Sequence, residues 1–287
     1  MNKIIDRKTL VERERDLANS QKFLYRNVFG RFILKLLVRP FVTKLGGWYM
    51  NRKCSKRMIK KFVKKNNIDL SQYDMSNINC YNDFFSRKIV AGARNIDMDP
   101  SKLISPCDSK LQAFKINNDS IFCIKDSYYK VEDLVQNKEL AEEYIGGYCL
   151  IFRLTVDDYH RYCYVDSGTK TENTHIKGVF HTVNPIALER YNFYKRNARE
   201  YTILETKNFG KIVQVEVGAL MVGKINNHHQ EYTFTKGEEK GMFLFGGSTI
   251  VLLVKNNIQI DEDILNNTAN NDETIVRYGE AIGKLLT

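Results

Sequence analysis

The sequence predicts an α+β fold in which a basic, helical N-terminal region over residues 1–70 precedes a β-rich core over residues 71–287. Three observations carry this prediction. Charge is concentrated at the N-terminal end, where residues 1–65 hold 19 Lys/Arg against 4 Asp/Glu, a net +15, while the whole 287-residue chain carries +10. Apolar residues in that region recur at helical spacing. From about residue 100 the pattern changes to short runs rich in Val, Ile, Tyr and Phe, separated by Gly, Asn and Asp. A hydrophobic content of 43% is enough to build a core and excludes a disordered chain.

The first helix is predicted over Gln21–Val38. Leu24, Val28, Phe29, Phe32, Ile33, Leu36 and Leu37 form its apolar stripe, with Lys22, Arg26, Arg31, Lys35 and Arg39 among them. Pro40 is expected to end or kink it. A second apolar patch (Phe41, Val42, Leu45, Trp48, Tyr49) leads into a helix-like run carrying Arg52, Lys53, Lys56, Arg57, Lys60, Lys61, Lys64 and Lys65. Three readings suit such a region: a helix lying in an anionic membrane interface, a solvated face packed on the core, and a nucleic-acid arm. The density of Phe, Leu and Trp favours lipid and argues against nucleic acid. No charge-free run is long enough to span a bilayer, and the opening Met1-Asn2-Lys3-Ile4-Ile5-Asp6-Arg7 turns polar too early for a secretory signal.

In the core, Gly147–Val156, Arg161–Val165 and Ile212–Val217 read as strands, and helices are expected near Val131–Glu143 and Ile186–Tyr194. The run Phe243-Leu244-Phe245-Gly246-Gly247-Ser248-Thr249-Ile250-Val251-Leu252-Leu253-Val254 reads as strand–turn–strand. Its plain interpretation is a β-hairpin with glycines at the turn. A second interpretation is chemical: a turn strained at Gly246-Gly247 presents the Ser248 hydroxyl to the carbonyl of Gly247, and serine held there can attack its own preceding peptide bond.

Few side chains are equipped to activate that serine. The six cysteines (Cys54, Cys80, Cys107, Cys123, Cys149, Cys163) contain no CxxC pair, so reduced thiols are expected and no metal site is predicted. Of five histidines, His175, His228 and His229 read as loop residues. His160, in Asp157-Asp158-Tyr159-His160-Arg161, follows a strand that ends on two carboxylates. His181 closes the apolar run Gly178–Phe180 before an Asn-Pro turn. Asp108, in Ser105-Pro106-Cys107-Asp108-Ser109, reads first as a turn or cap residue.

Set in order, these stretches resemble the phosphatidylserine decarboxylase family. Tyr81-Asn82-Asp83-Phe84-Phe85-Ser86-Arg87-Lys88 with Gly92-Ala93-Arg94 resembles its N-D-F-F-x-R segment. Ser105-Pro106-Cys107-Asp108-Ser109-Lys110 resembles S-P-A-D-G-x, and Asp158-Tyr159-His160-Arg161 matches D-Y-H-R. Val217-Gly218-Ala219 with Val222-Gly223, then Lys236-Gly237-Glu238-Glu239-Lys240-Gly241, precede a G-G-S-T cleavage motif. The resemblance implies a proenzyme that cuts itself between Gly247 and Ser248, leaving a pyruvoyl group derived from Ser248. That group would take up the substrate amine and act as electron sink for loss of CO2, turning phosphatidylserine into phosphatidylethanolamine.

The family's Asp–His–Ser arrangement maps onto Asp108, a histidine and Ser248. Many members carry H-R-x-H and use the second histidine, where this chain has Cys163. On a regular strand His160 and Cys163 point to opposite faces. His160 is therefore expected to be essential and His181 a second participant, with a Cys163 thiolate base as the lesser alternative. The implied partners are an anionic phospholipid membrane, phosphatidylserine and the small chain released by cleavage, with homo-oligomerisation left open. The implied location is the cytoplasmic face of the cell membrane, held peripherally. A soluble amino-acid decarboxylase of the same family and a non-enzymatic β-rich membrane-binding module are the competing readings.

Overall fold

A computed structural model of the chain describes residues 3–14, 23, 27, 29–30, 32–33, 40–119, 121–124, 127–178, 197–218, 224–244 and 248–286. Two short strands open it, β1 (Lys3–Asp6) and β2 (Glu12–Glu14). Of the expected helix over 21–38, Phe23, Phe29, Gly30, Phe32 and Ile33 are helical, and the rest lies outside the described residues. A helix, α1 (Pro40–Met50), is described from Pro40 onward, while residues 34–39 lie outside the described residues.

The basic run forms α2 (Arg57–Asn66), which Asn67 closes in the left-handed region at φ 50°, its amide donating to the Val63 carbonyl. Ile59, Phe62 and Val63 share one face of α2 and pack with Met50 and with Tyr81, Phe84 and Phe85 of α3 (Tyr81–Phe85) in a small second core.

The main core is built on β3 (Ser109–Lys115), β4 (Tyr148–Leu154), β5 (Arg161–Cys163), β6 (Arg199–Thr206), β7 (Gly210–Val217), β8 (Lys224–Asn227), β9 (Glu239–Leu244), β10 (Ser248–Val254) and β11 (Glu273–Val276). Among the described residues an eleven-stranded sheet runs β6–β7–β10–β4–β3–β11–β1–β2, extended beyond β6 by Gly168–Lys170 and Tyr232–Phe234, with Thr174–Ile176 also paired to β6. Its one parallel pair is β1 with β11. The polar N-terminus therefore adds strands to the core sheet across the boundary expected near residue 70. A separate three-stranded sheet is ordered β5–β9–β8.

This topology overturns the hairpin reading of the Gly-Gly-Ser turn. β9 pairs with β5 and β8, whereas β10 pairs with β7 and β4. The chain crosses from one sheet to another between them. Both faces of β10 are covered, and all seven of its residues are buried. That explains its continuous apolar run in place of alternation, each Val, Leu or Ile contributing about 1.5–3 kcal/mol by burial.

The expected helix over 131–143 divides into Val131–Val135 and Lys138–Glu142, broken at Gln136, which has φ 53°. The helix expected over 186–194 lies outside the described residues.

Candidate active site

Ser248 begins β10 opposite Leu154, the last residue of β4, and Lys110 near the start of β3 faces Arg153. The starts of β3 and β10 and the end of β4 thus meet at one end of the sheet. Asp108 immediately precedes β3, and His160 follows β4 after one turn. Sheet order alone therefore brings Asp108, His160 and Ser248 to the same end.

The turn after β4 is stapled by charge. Lys110 Nζ donates to both carboxylate oxygens of Asp158 at 2.7 Å and to Thr155 Oγ1 at 2.6 Å. Asp158 also accepts from the Thr155 amide at 2.6 Å; Lys110 and Asp158 are buried and Thr155 is half-buried. The Asp158 main-chain carbonyl then lies 2.9 Å from His160 Nδ1. A carbonyl only accepts, so Nδ1 carries the proton and Nε2 presents a lone pair. That Nε2 is buried and has no hydrogen-bond partner among the described residues. The imidazole is fully buried, with the Phe85 ring 3.9 Å away between centroids. Burial, reinforced by the nearby Arg87 charge, lowers its pKa to about 3, so the ring is neutral.

The Ser248 hydroxyl is likewise buried without a partner among the described residues, as are those of Ser109 and Thr249. An unmade hydrogen bond of this kind costs about 1–3 kcal/mol, and a cluster of them marks a place where stability gives way to chemistry.

Asp108 is 2% exposed, and its described partners are the Arg94 guanidinium and the Tyr278 amide at 2.8 Å. Arg94 Nε reaches its two oxygens at 3.0 and 3.2 Å. Cys163 is fully buried, with Sγ 3.8 Å from the Ser105 carbonyl, and burial pushes its thiol up to about 12. It is protonated near neutrality. A register shift between Tyr162 and Cys163 also breaks the simple alternation of faces expected along β5. His181 and Gly247 lie outside the described residues.

The other histidines sit elsewhere: His175 is 3.4 Å from Glu200, His228 is 2.6 Å from Glu239, and His229 stacks on Tyr232 at 3.8 Å. Among the described residues no group of three His, Cys, Asp or Glu side chains is placed to hold a metal ion.

A buried ion pair fixes the smaller sheet behind the site. Lys240 of β9 donates to Glu216 of β7 and to Asn227 of β8, each at 2.7 Å. Since β7 pairs directly with β10, this contact sets the two sheets around Ser248.

Lys110, Asp158, Arg94 and Arg87 lie inside the family-like motifs, where the sequence alone assigns them no role. Their shared signal is charge inside motifs that otherwise read as apolar turns.

A buried, unpartnered serine at the head of a doubly paired strand, with a neutral imidazole at the same end of the sheet, fits a self-processing precursor whose prosthetic group is made from its own chain. Residues 81–284 match the family model described as phosphatidylserine decarboxylase. The chain is 47% identical over 274 residues to phosphatidylserine decarboxylase proenzyme 2 of Clostridium acetobutylicum, covering 94% of each. It is 42% identical to the phosphatidylserine decarboxylase proenzyme of Ruminiclostridium cellulolyticum, covering 92% of this chain and 90% of the relative, and 40% identical to that of Clostridium perfringens, covering 99% of each. The chain belongs to the phosphatidylserine decarboxylase family. It is a pyruvoyl-dependent enzyme that cleaves itself and converts phosphatidylserine to phosphatidylethanolamine, its pyruvoyl group derived from an internal serine.

Proposed function

We propose that the internal serine is Ser248 and that His160 Nε2 takes its proton during self-cleavage. The supporting observation is the pair of orphaned buried atoms, Ser248 Oγ and His160 Nε2, at one end of the sheet. As Oγ bonds to the Gly247 carbonyl carbon, the Gly247–Ser248 C–N bond breaks and His160 passes the proton it took from Oγ to the departing nitrogen, leaving an ester and a free α-amine. Elimination across the Ser248 Cα–Cβ bond releases the Gly247 carboxylate. The dehydroalanine left behind loses its nitrogen to water as ammonia, leaving a pyruvoyl group at the head of β10. That group supplies the electron sink for loss of CO2. Phe85 and the buried strand ends keep water from the reacting atoms, which favours charge neutralisation of a departing carboxylate.

Asp108 holds Arg94 and the Tyr278 amide, and in this reading it orders the loop before β3. His181 is assigned as the second imidazole, in place of the one that many family members carry at the position of Cys163. The experiment is intact mass: the wild-type chain separates into pieces of 247 and 40 residues, and Ser248→Ala stays whole. Cleavage persisting in that variant refutes the assignment.

The N-terminal helices are assigned to membrane attachment. Phe41, Leu45 and Trp48 recur along one face of α1 and are 74%, 56% and 55% exposed, with Arg52 stacked 4.3 Å from the Trp48 ring centre. α2, next along the chain, adds Lys60, Lys61, Lys64 and Lys65. No helix among the described residues is long and apolar enough to cross a membrane. An apolar face beside basic charge suits the anionic cytoplasmic leaflet, each Lys or Arg near its surface contributing about 1 kcal/mol. This surface favours a lipid over a free amino acid as substrate.

A further inference from the structure

Among the described residues Arg87 is a buried cation without a counter-ion. It is 2% exposed, yet its one described hydrogen bond is from Nη1 to the Phe84 carbonyl at 3.2 Å. Nε and Nη2 are buried and have no partner, and no described carboxylate lies within 4 Å. Its planar faces are covered by the Tyr73 ring at 4.0 Å and the Phe84 ring at 4.8 Å. Aromatic contacts on both rings fix the plane of the guanidinium. The Nε–Nη2 edge left over is the fork that binds an anion through two parallel N–H bonds. A guanidinium buried without such a partner is costly, which points to a ligand that supplies one.

Its location ties this edge to the active site. Phe85, two residues earlier, packs on His160, and Arg161 Nε donates to the Ser86 carbonyl at 2.8 Å, fastening this segment over the strand that follows His160.

Phosphatidylserine carries two anions, the serine carboxylate and the phosphodiester. The carboxylate leaves as neutral CO2, so a guanidinium paired with it would stabilise the ground state more than the transition state. The phosphodiester keeps its charge throughout. We propose that the Arg87 Nε–Nη2 fork is the receptor for the substrate's phosphodiester. This rests on the decarboxylase reading of the site. In the uncut chain the fork is closed to water, so the proposal requires maturation or substrate entry to open a path to it.

The test is the Arg87→Met variant, with two soluble probes competing against phosphatidylserine in mixed micelles. Glycerophosphoethanolamine carries a phosphodiester and no carboxylate, and free serine the reverse. The variant is expected to self-cleave by intact mass, to raise KM by about ten- to a hundredfold with a much smaller change in kcat, and to lose inhibition by glycerophosphoethanolamine while keeping that by serine. A cleaved variant with unchanged KM, or one that loses only serine inhibition, overturns the proposal.

If Arg87→Met stays uncut, the mature wild-type enzyme decides. Phenylglyoxal modification of Arg87, mapped by peptide mass, should be blocked by glycerophosphoethanolamine and not by serine. An unmodified Arg87, or protection by serine alone, also overturns it. Failure of the decarboxylase reading gives a different signature, a wild-type chain that never splits.

Discussion

Replacing Lys110 by Met removes the cation that staples the turn after β4. Lys110 and Asp158 side chains are 9% and 5% exposed, and the ammonium contacts both carboxylate oxygens at 2.7 Å. Methionine keeps most of the stem volume, so the change is largely electrostatic. Burial already raises the Asp158 carboxyl against the pull of Lys110. Without that pull the buried carboxylate must stay charged at a cost or take up a proton. Breaking one partner of a buried pair costs about 3–5 kcal/mol, against a total of about 5–15 kcal/mol for a domain.

The same turn carries the carbonyl that fixes His160 Nδ1, so maturation should slow together with stability. The assay is urea unfolding of Lys110→Met in the uncut Ser248→Ala background, with self-cleavage followed separately in the Ser248 chain. Adding Asp158→Asn should recover much of the loss, because the orphaned charge is then removed. A loss under about 1 kcal/mol, or a double variant worse than the sum of the singles, refutes the reasoning.

Three further outcomes are expected. Cys163→Ser should self-cleave within about threefold of the wild-type rate, because the thiol is held protonated by burial; a loss beyond about a hundredfold would make it the base. His160 is held near 3 in the native state, whereas unfolded histidine titrates near 6.5, so the unfolded chain takes up the extra proton and stability falls as pH drops through that window. Comparing His160→Asn with its parent in the uncut background by urea midpoints, the parent should lose about 2 kcal/mol more between about pH 7 and pH 5, and equal losses would contradict the buried neutral ring. Phe41→Ala with Trp48→Ala should weaken co-sedimentation with anionic vesicles by at least about tenfold, the remainder falling further with salt; unchanged binding would remove α1 from the membrane contact.

The strongest strands were legible because burial on both faces forces an apolar run, as in β10, whereas Ile212–Val217 alternates because one of its buried faces is polar, with Gln214 and Lys240 donating to Glu216. The three-residue strands Gly168–Lys170 and Thr174–Ile176 leave no such trace, since their order comes from pairing with β6 rather than from their own sequence. β1 was missed for the same reason, its parallel partner lying about 270 residues away. Within the site, Ser248, His160 and Asp108 stood out by motif. Nothing local announced that His160 bonds a carbonyl rather than a carboxylate, or that Arg94 and Tyr278 converge on Asp108 from 14 and 170 residues away.

The order of the main sheet has a consequence for the enzyme's lifetime. A cut ahead of Ser248 puts β10 and β11 on the small chain, while β7, β4, β3 and β1 stay on the large one. The two pieces alternate across the sheet, and withdrawing the smaller means unzipping five ladders at once: β10 from β7 and β4, β11 from β3 and β1, and the pairing of Ala281–Leu285 with Lys102–Ile104. The precursor can find this arrangement because its strands are tethered. The mature enzyme, once unfolded, has lost the tether and must assemble from two molecules at dilute concentration. Its persistence is therefore governed by the height of the unfolding barrier, and a denatured molecule has no unimolecular way back.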